Sequence, residues 1–177
     1  PADAQARFDE ALKLMKERQN KPARDAFLGL AQDFPTFSGP FTDLAILQAK
    51  ANQPTLAISN FERATRLNPE NAVAWNWLGT LYREGKDYSR AETAYKTALG
   101  LKPDMAATQL NLGVLNELYL GRPQEALAHY RQAVKLYERG LAAAETRPFL
   151  DRALATGRHH VPALRLRAEL AGRPVSP

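Results

Sequence analysis

Three prolines, Pro35, Pro69 and Pro103, stand 34 residues apart, and this interval constrains the chain more than any other feature it carries. Other columns keep the same step: Ala11, Ala45, Gly79 and Gly113; Leu44, Leu78 and Leu112; Ala23, Ala57 and Ala91; Phe27, Phe61 and Tyr95. A fixed period of this length accommodates two helices and a turn. Each such unit buries its apolar face only by stacking on its neighbours, so the repeats are expected to share one continuous core.

The chemistry of the columns fits that reading. A Gly or Ala in the first helix of each unit allows close approach of the second helix. The small Ala of the second helix (Ala23, Ala57, Ala91, Ala126) permits a tight crossing, and the aromatic four residues later fills the space beside it. Turns are expected at Asn20-Lys21-Pro22, Asn52-Gln53-Pro54, Gly85-Lys86-Asp87 and Gly121-Arg122-Pro123, and Pro35, Pro69 and Pro103 are expected to stop the second helices. With 45% apolar and 24% charged residues the chain is apolar enough to fold, and its longest apolar runs are far too short to cross a bilayer.

The third unit reads Trp75-x2-Leu78-Gly79-x2-Tyr82, then Ala91-x3-Tyr95, Ala98 and Pro103. It resembles the tetratricopeptide-repeat signature at every position. The resemblance implies an all-α, right-handed tetratricopeptide superhelix, an α-α solenoid of four helix-turn-helix repeats plus C-terminal capping helices, all in one structural domain. The frame places repeats at 4–37, 38–71, 72–105 and 106–140, with the cap at 141–172.

Several positions depart from the pattern. Gln48 stands where the family has an aromatic, and Arg7 and Glu10 replace large apolar residues in the first repeat, where a terminal unit has one neighbour fewer. In the fourth repeat Ala126, Tyr130 and Ala133 arrive one residue late, which points to an insertion in the turn at Leu120–Pro123. Apolar spacing then carries the last helix to about Glu145, followed by short helices at 148–156 and 161–171.

The resemblance implies a non-catalytic scaffold whose first helices line a concave groove that takes a peptide or helix of another protein. By frame, the groove residues are Asp43, Ile46, Asn76, Trp77, Thr80, Arg83, Leu110, Asn111 and Val114. Trp77 is the candidate anchor, because Trp75 already fills the packing position two residues earlier; the alternative is that Trp77 packs on a neighbouring helix. The Lys/Asn/Asn/Lys/Arg clamp of chaperone-binding members is missing. Its matching places hold Phe8, Leu12, Asp43, Val73 and Trp77, or Thr42, Ile46, Trp77, Ala107 and Asn111 one repeat later.

No catalytic, cofactor or metal site is expected. The histidines are His129, His159 and His160, with no paired ligand spacing, and neither a phosphate-binding loop nor a nucleophile elbow occurs. There is no cysteine, so thiol chemistry and disulfides are excluded. The net charge is +5, and from Leu141 onward six Arg face three carboxylates. That basic end supports the rival reading, a helical repeat binding RNA or another nucleic acid; self-association as a structural subunit is another. The missing initiator Met suggests a processed N-terminus. Together with the family's envelope members, it favours a periplasmic or outer-membrane-associated assembly factor for a pilus, secretion or polysaccharide-export complex over a cytoplasmic protein.

Overall fold

A computed structural model describes residues 2–139, in which eight helices and no strand occur. They are α1 (Ala2–Lys16), α2 (Asn20–Asp33), α3 (Ser38–Lys50), α4 (Pro54–Leu67), α5 (Ala72–Glu84), α6 (Tyr88–Leu101), α7 (Ala106–Leu118) and α8 (Pro123–Glu138). The expected cap at 141–172 and the extension of α8 to about Glu145 lie outside the described residues. Packing divides the chain between Leu81 and Tyr82 into two compact units.

The period is written into the backbone. Three-residue turns join α1 to α2, α3 to α4 and α5 to α6, and their middle residues Arg18, Asn52 and Lys86 all have positive φ, near 60°. In each, the residue after the left-handed one donates back across the helix end: Gln19 N–H to Leu14 O at 2.9 Å, Gln53 N–H to Gln48 O at 2.9 Å and Asp87 N–H to Tyr82 O at 2.8 Å. This bond closes the end of each first helix by satisfying a carbonyl left without an intrahelical partner. The first turn therefore falls at residues 17–19 and not at Asn20-Lys21-Pro22. Pro22 sits in the opening turn of α2, where a missing N–H costs nothing. The fourth turn has one residue more, and there Gly121 takes the positive φ of 65°.

The second helices stop as the prolines require. Phe34, Asn68 and Lys102 are extended, with φ of −129°, −137° and −139°, because a following proline ring excludes the helical conformation.

In the first unit Ala11, Ala23, Phe27, Leu30, Leu44 and Leu47 form a buried cluster joining α1, α2 and α3. Burying a side chain such as Phe27 contributes about 1.5–3 kcal/mol. Two of the three polar departures, Arg7 and Gln48, are compensated by partners on the next helix, while Glu10 pairs with Lys13 of its own helix at 3.9 Å. Arg7 pairs with Asp33 at 2.8 Å and lies 5.5 Å from the centre of the Phe34 ring. Gln48 is buried, and its Oε1 accepts from Asn60 Nδ2 at 2.8 Å, so α3 and α4 are joined by an amide pair at this position.

The second unit packs α7 on both α6 and α8. Leu110, Ala126, Tyr130, Ala133 and Val134 are its buried cluster, with Val114 against it. A Cβ on Gly113 would stand 2.5 Å from the Tyr130 ring, so the absence of a side chain is what lets this tyrosine in. Asp87 caps α6 by accepting from Arg90 N–H at 3.1 Å, and the Arg90 side-chain bond to it holds its carboxyl below the usual carboxylate range.

Candidate functional site

In the first unit α1, the opening of α2 and α3 enclose a cleft of about 580 Å³, lined by Leu12, Met15, Lys16, Arg18, Asn20, Asp43, Leu47 and Lys50. A smaller hollow of about 270 Å³ shares Asn20, Leu47 and Lys50 with it and adds Lys21 and Arg24. The αL turn at Arg18 brings the end of α1 and its cations to this rim, while α3 contributes Asp43, Leu47 and Lys50 one helical turn apart. Among the described residues no ion pair or hydrogen bond engages the side chains of Lys16, Arg18, Asp43 or Lys50. Burial without a compensating partner pushes the Asp43 carboxyl up to about 6.

Of the expected groove residues, Asp43 and Ile46 on α3 are half-buried, as are Asn76, Trp77 and Thr80 on α5. One face of Trp77 is taken: its ring stacks on the fully buried Phe61 of α4, with centroids 6.0 Å apart and planes 12° apart. The Thr80 hydroxyl donates to Asn76 O at 3.2 Å. Trp75 is half-buried, with its indole N–H donating to Pro69 O at 2.9 Å. Thr42, which stands at one of the places matching the chaperone clamp, is buried, donating to Ser38 O and accepting from Asn71 Nδ2 at 2.9 Å.

In the second unit Arg83 is half-buried, while Leu110 and Asn111 are buried and differ from the open positions expected of them. The cause is α8. Leu110 belongs to its cluster with Ala126 and Tyr130, and Val114 packs on the same residues. The Tyr130 hydroxyl donates to Glu117 Oε2 at 2.7 Å; burial, followed by that bond, raises its pKa strongly. His129 is half-buried with Nδ1 2.8 Å from Gln109 Oε1, and burial lowers its pKa. No group of three metal-ligating side chains occurs among the described residues.

Sequence reasoning missed what the first hairpin brings to the cleft: Leu12, Met15, Lys16 and Arg18. The available signal was the run of cations Lys16, Arg18, Lys21 and Arg24 around one turn, set against the lone Asp43 and Lys50 on the next first helix.

Two family models, both described as tetratricopeptide repeat, match residues 42–106 and 107–139 and so cover more than half of the chain. The chain belongs to the tetratricopeptide-repeat family. Among relatives, this tetratricopeptide protein is 31% identical over 120 residues to the formate-dependent nitrite reductase complex subunit NrfG of Escherichia coli O157:H7, covering 68% of this chain and 52% of that one. It is 28% identical over 123 residues to the peroxisomal targeting signal receptor of Candida albicans, covering 67% of this chain and 21% of that one. With mouse superkiller complex protein 3 it shares 29% identity over 89 residues, which is 50% of this chain and 6% of that one. The chain thus spans from a small fraction to about half of the length of these relatives.

Solved structures of similar fold include that from the functional characterization of Pseudomonas aeruginosa pilF, with a TM-score of 0.72 at 20% identity, covering 98% of this chain and 78% of that one. A crystal structure of MamA gives a TM-score of 0.69 at 20% identity, covering 78% and 80%. These likenesses establish the all-α tetratricopeptide solenoid class. No described helix is long and apolar enough to cross a membrane.

Proposed function

We propose that this chain is a non-catalytic scaffold that holds a segment of another protein on the faces of its first helices. In the first unit that face is formed by Asp43, Ile46, Asn76, Trp77 and Thr80; in the second, taken by itself, the half-buried Arg83 is the open member of the expected set, since Leu110 and Asn111 are buried and Val114 packs against the α8 cluster. The observation that carries the reading is a half-buried tryptophan on α5, one face held by Phe61, in a family of protein-interaction scaffolds. An aromatic fixed on one side loses little conformational entropy when a partner covers the rest of it.

The narrower form of the proposal is assembly of a bacterial envelope complex in the periplasm or at the outer membrane. A relative named as a subunit of a nitrite reductase complex, and fold likeness to a pilF structure, support that direction. Cell fractionation of the full gene product tests the compartment, and recovery in the cytosol alone would overturn it.

The scaffold reading is tested by affinity capture with the full chain. Ile46→Arg with Thr80→Arg places bulky charges on two half-buried positions that leave the Trp77 stack intact. A protein retained by the wild type and lost by this double variant, at unchanged helicity, supports the face. Retention by both forms would refute it.

A further inference from the structure

The cleft at the Arg18 turn has a composition that the rest of the first unit's face lacks. Three cations, Lys16, Arg18 and Lys50, share it with one carboxylate, Asp43, and none of the four is paired among the described residues. Behind them Leu12, Met15 and Leu47 form an apolar wall, and the volume of about 580 Å³ is ample for a side chain and its flanking backbone. The neighbouring hollow continues the basic rim through Lys21 and Arg24, the latter paired with Asp25 at 3.2 Å.

We propose that this cleft takes an acidic stretch of a partner protein, with an apolar side chain of the stretch seated on Leu12, Met15 and Leu47 and its carboxylates on Lys16, Arg18 and Lys50. The proposal rests on the scaffold reading and names the chemistry of its occupant. Charge complementarity selects an anionic segment. Concavity with an aliphatic wall selects a peptide over a nucleic acid, because no aromatic side chain lines the cleft to stack a base. The interaction differs from the chaperone clamp, whose residues are missing from this chain.

Asp43 makes the site sensitive to pH. Lys16 and Arg18 from α1 and its turn and Lys50 from α3 line the same cleft, α2 brings the neutral Asn20, and none of these groups offsets the burial that raises the Asp43 carboxyl. Its ionised form repels an acidic segment and its protonated form does not. Because burial holds this carboxyl near 6, the neutral form becomes the major one just below that pH, where the glutamates of a ligand are still charged. Binding therefore tightens as pH falls through 6.

The test uses the full chain and a fluorescent probe peptide, acetylated and amidated, with one leucine between glutamate pairs. Saturable binding is expected. The triple variant Lys16→Gln, Arg18→Gly, Lys50→Gln should lower affinity about tenfold, the sum of three partly exposed ion pairs. Asp43→Asn should bind several-fold tighter near neutrality and lose the pH dependence, and this gain of binding cannot come from misfolding. Absence of saturable binding, indifference to the triple variant, or a pH dependence that survives Asp43→Asn would each overturn the proposal. So would single-stranded DNA that displaces the peptide and is itself lost in the triple variant. Failure here combined with loss of a captured partner in the Ile46→Arg, Thr80→Arg variant leaves the scaffold face standing without this cleft, whereas indifference of capture to that variant removes the scaffold face itself.

Discussion

Gly113 and Gly100 both lie in helices, and their surroundings assign them opposite roles. At Gly113 a methyl group would meet the Tyr130 ring at 2.5 Å, and that ring is buried and fixed by its bond to Glu117. Gly113→Ala should therefore destabilise the chain by roughly 1–2 kcal/mol, overpacking exceeding the better helix propensity of alanine. Nothing lies within 4 Å of a Cβ on Gly100, so Gly100→Ala should stabilise by about 0.5–1 kcal/mol. Urea unfolding of both variants checks the pair, and equal effects would mean that the Tyr130 contact is not made in solution. Asp43 offers a second test at this scale. Its folded pKa of about 6 lies above the 3.8 of the free side chain, so between these values the unfolded chain gives up its proton first. Stability contributed by the neutral form is present below 3.8, falls as pH rises towards 6, and stays lost above that. Asp43→Asn should thus be more stable than wild type by about 1–2 kcal/mol near pH 7.5, with the gap closing near pH 4, read by urea midpoints at the two values.

The helices and their ends were legible because backbone chemistry repeats with the period. Proline dictates the extended residues Phe34, Asn68 and Lys102, and the left-handed turn residues Arg18, Asn52 and Lys86 recur at the same step as the prolines. The phase of the first turn was misjudged because Pro22 resembles a turn signal, although a helix accepts proline in its opening turn. Compensation between elements was not legible, since it depends on which side chain of the next helix faces the anomaly. Gln48 looks like a fault in α3 until Asn60 of α4 is seen to bond it. Asn60→Ala leaves the buried Gln48 amide without this partner and should cost about 1–3 kcal/mol. The double change Gln48→Leu, Asn60→Ala removes both polar groups and should recover most of that loss in thermal melts. If the double variant is as unstable as the single one, the pair holds α3 to α4 by more than its mutual bond.

For the whole molecule, a repeat frame predicts which side of a helix a residue occupies, and burial there depends on what the neighbouring helix brings. Leu110 and Val114 fit the groove pattern, yet α8 covers them, while Lys16 and Arg18 come from a repeat that reads as worn and still line a cleft of about 580 Å³ in the first unit. Charge follows the same logic. The net charge of +5 suggests a nucleic-acid surface, but several cations are already committed: Arg7 to Asp33, Arg90 to Asp87, Lys96 and Arg122 to Glu92. Such pairs contribute little stability individually, but they remove positive charge from what an incoming phosphate backbone meets. Binding of single-stranded DNA by the full chain should therefore be weak and depend on salt mainly through the cations that gather at one place, Lys16, Arg18, Lys21 and Lys50 around the first-unit cleft, with a slope of log affinity against log salt of about −2 to −3, at roughly −0.7 per phosphate neutralised. A protein partner anchored on Trp77 should survive the same salt titration. A slope of about −5 or steeper for DNA, with loss of the protein partner over the same range, would mean that a broad basic surface is the binding element and that the α3 and α5 faces are not.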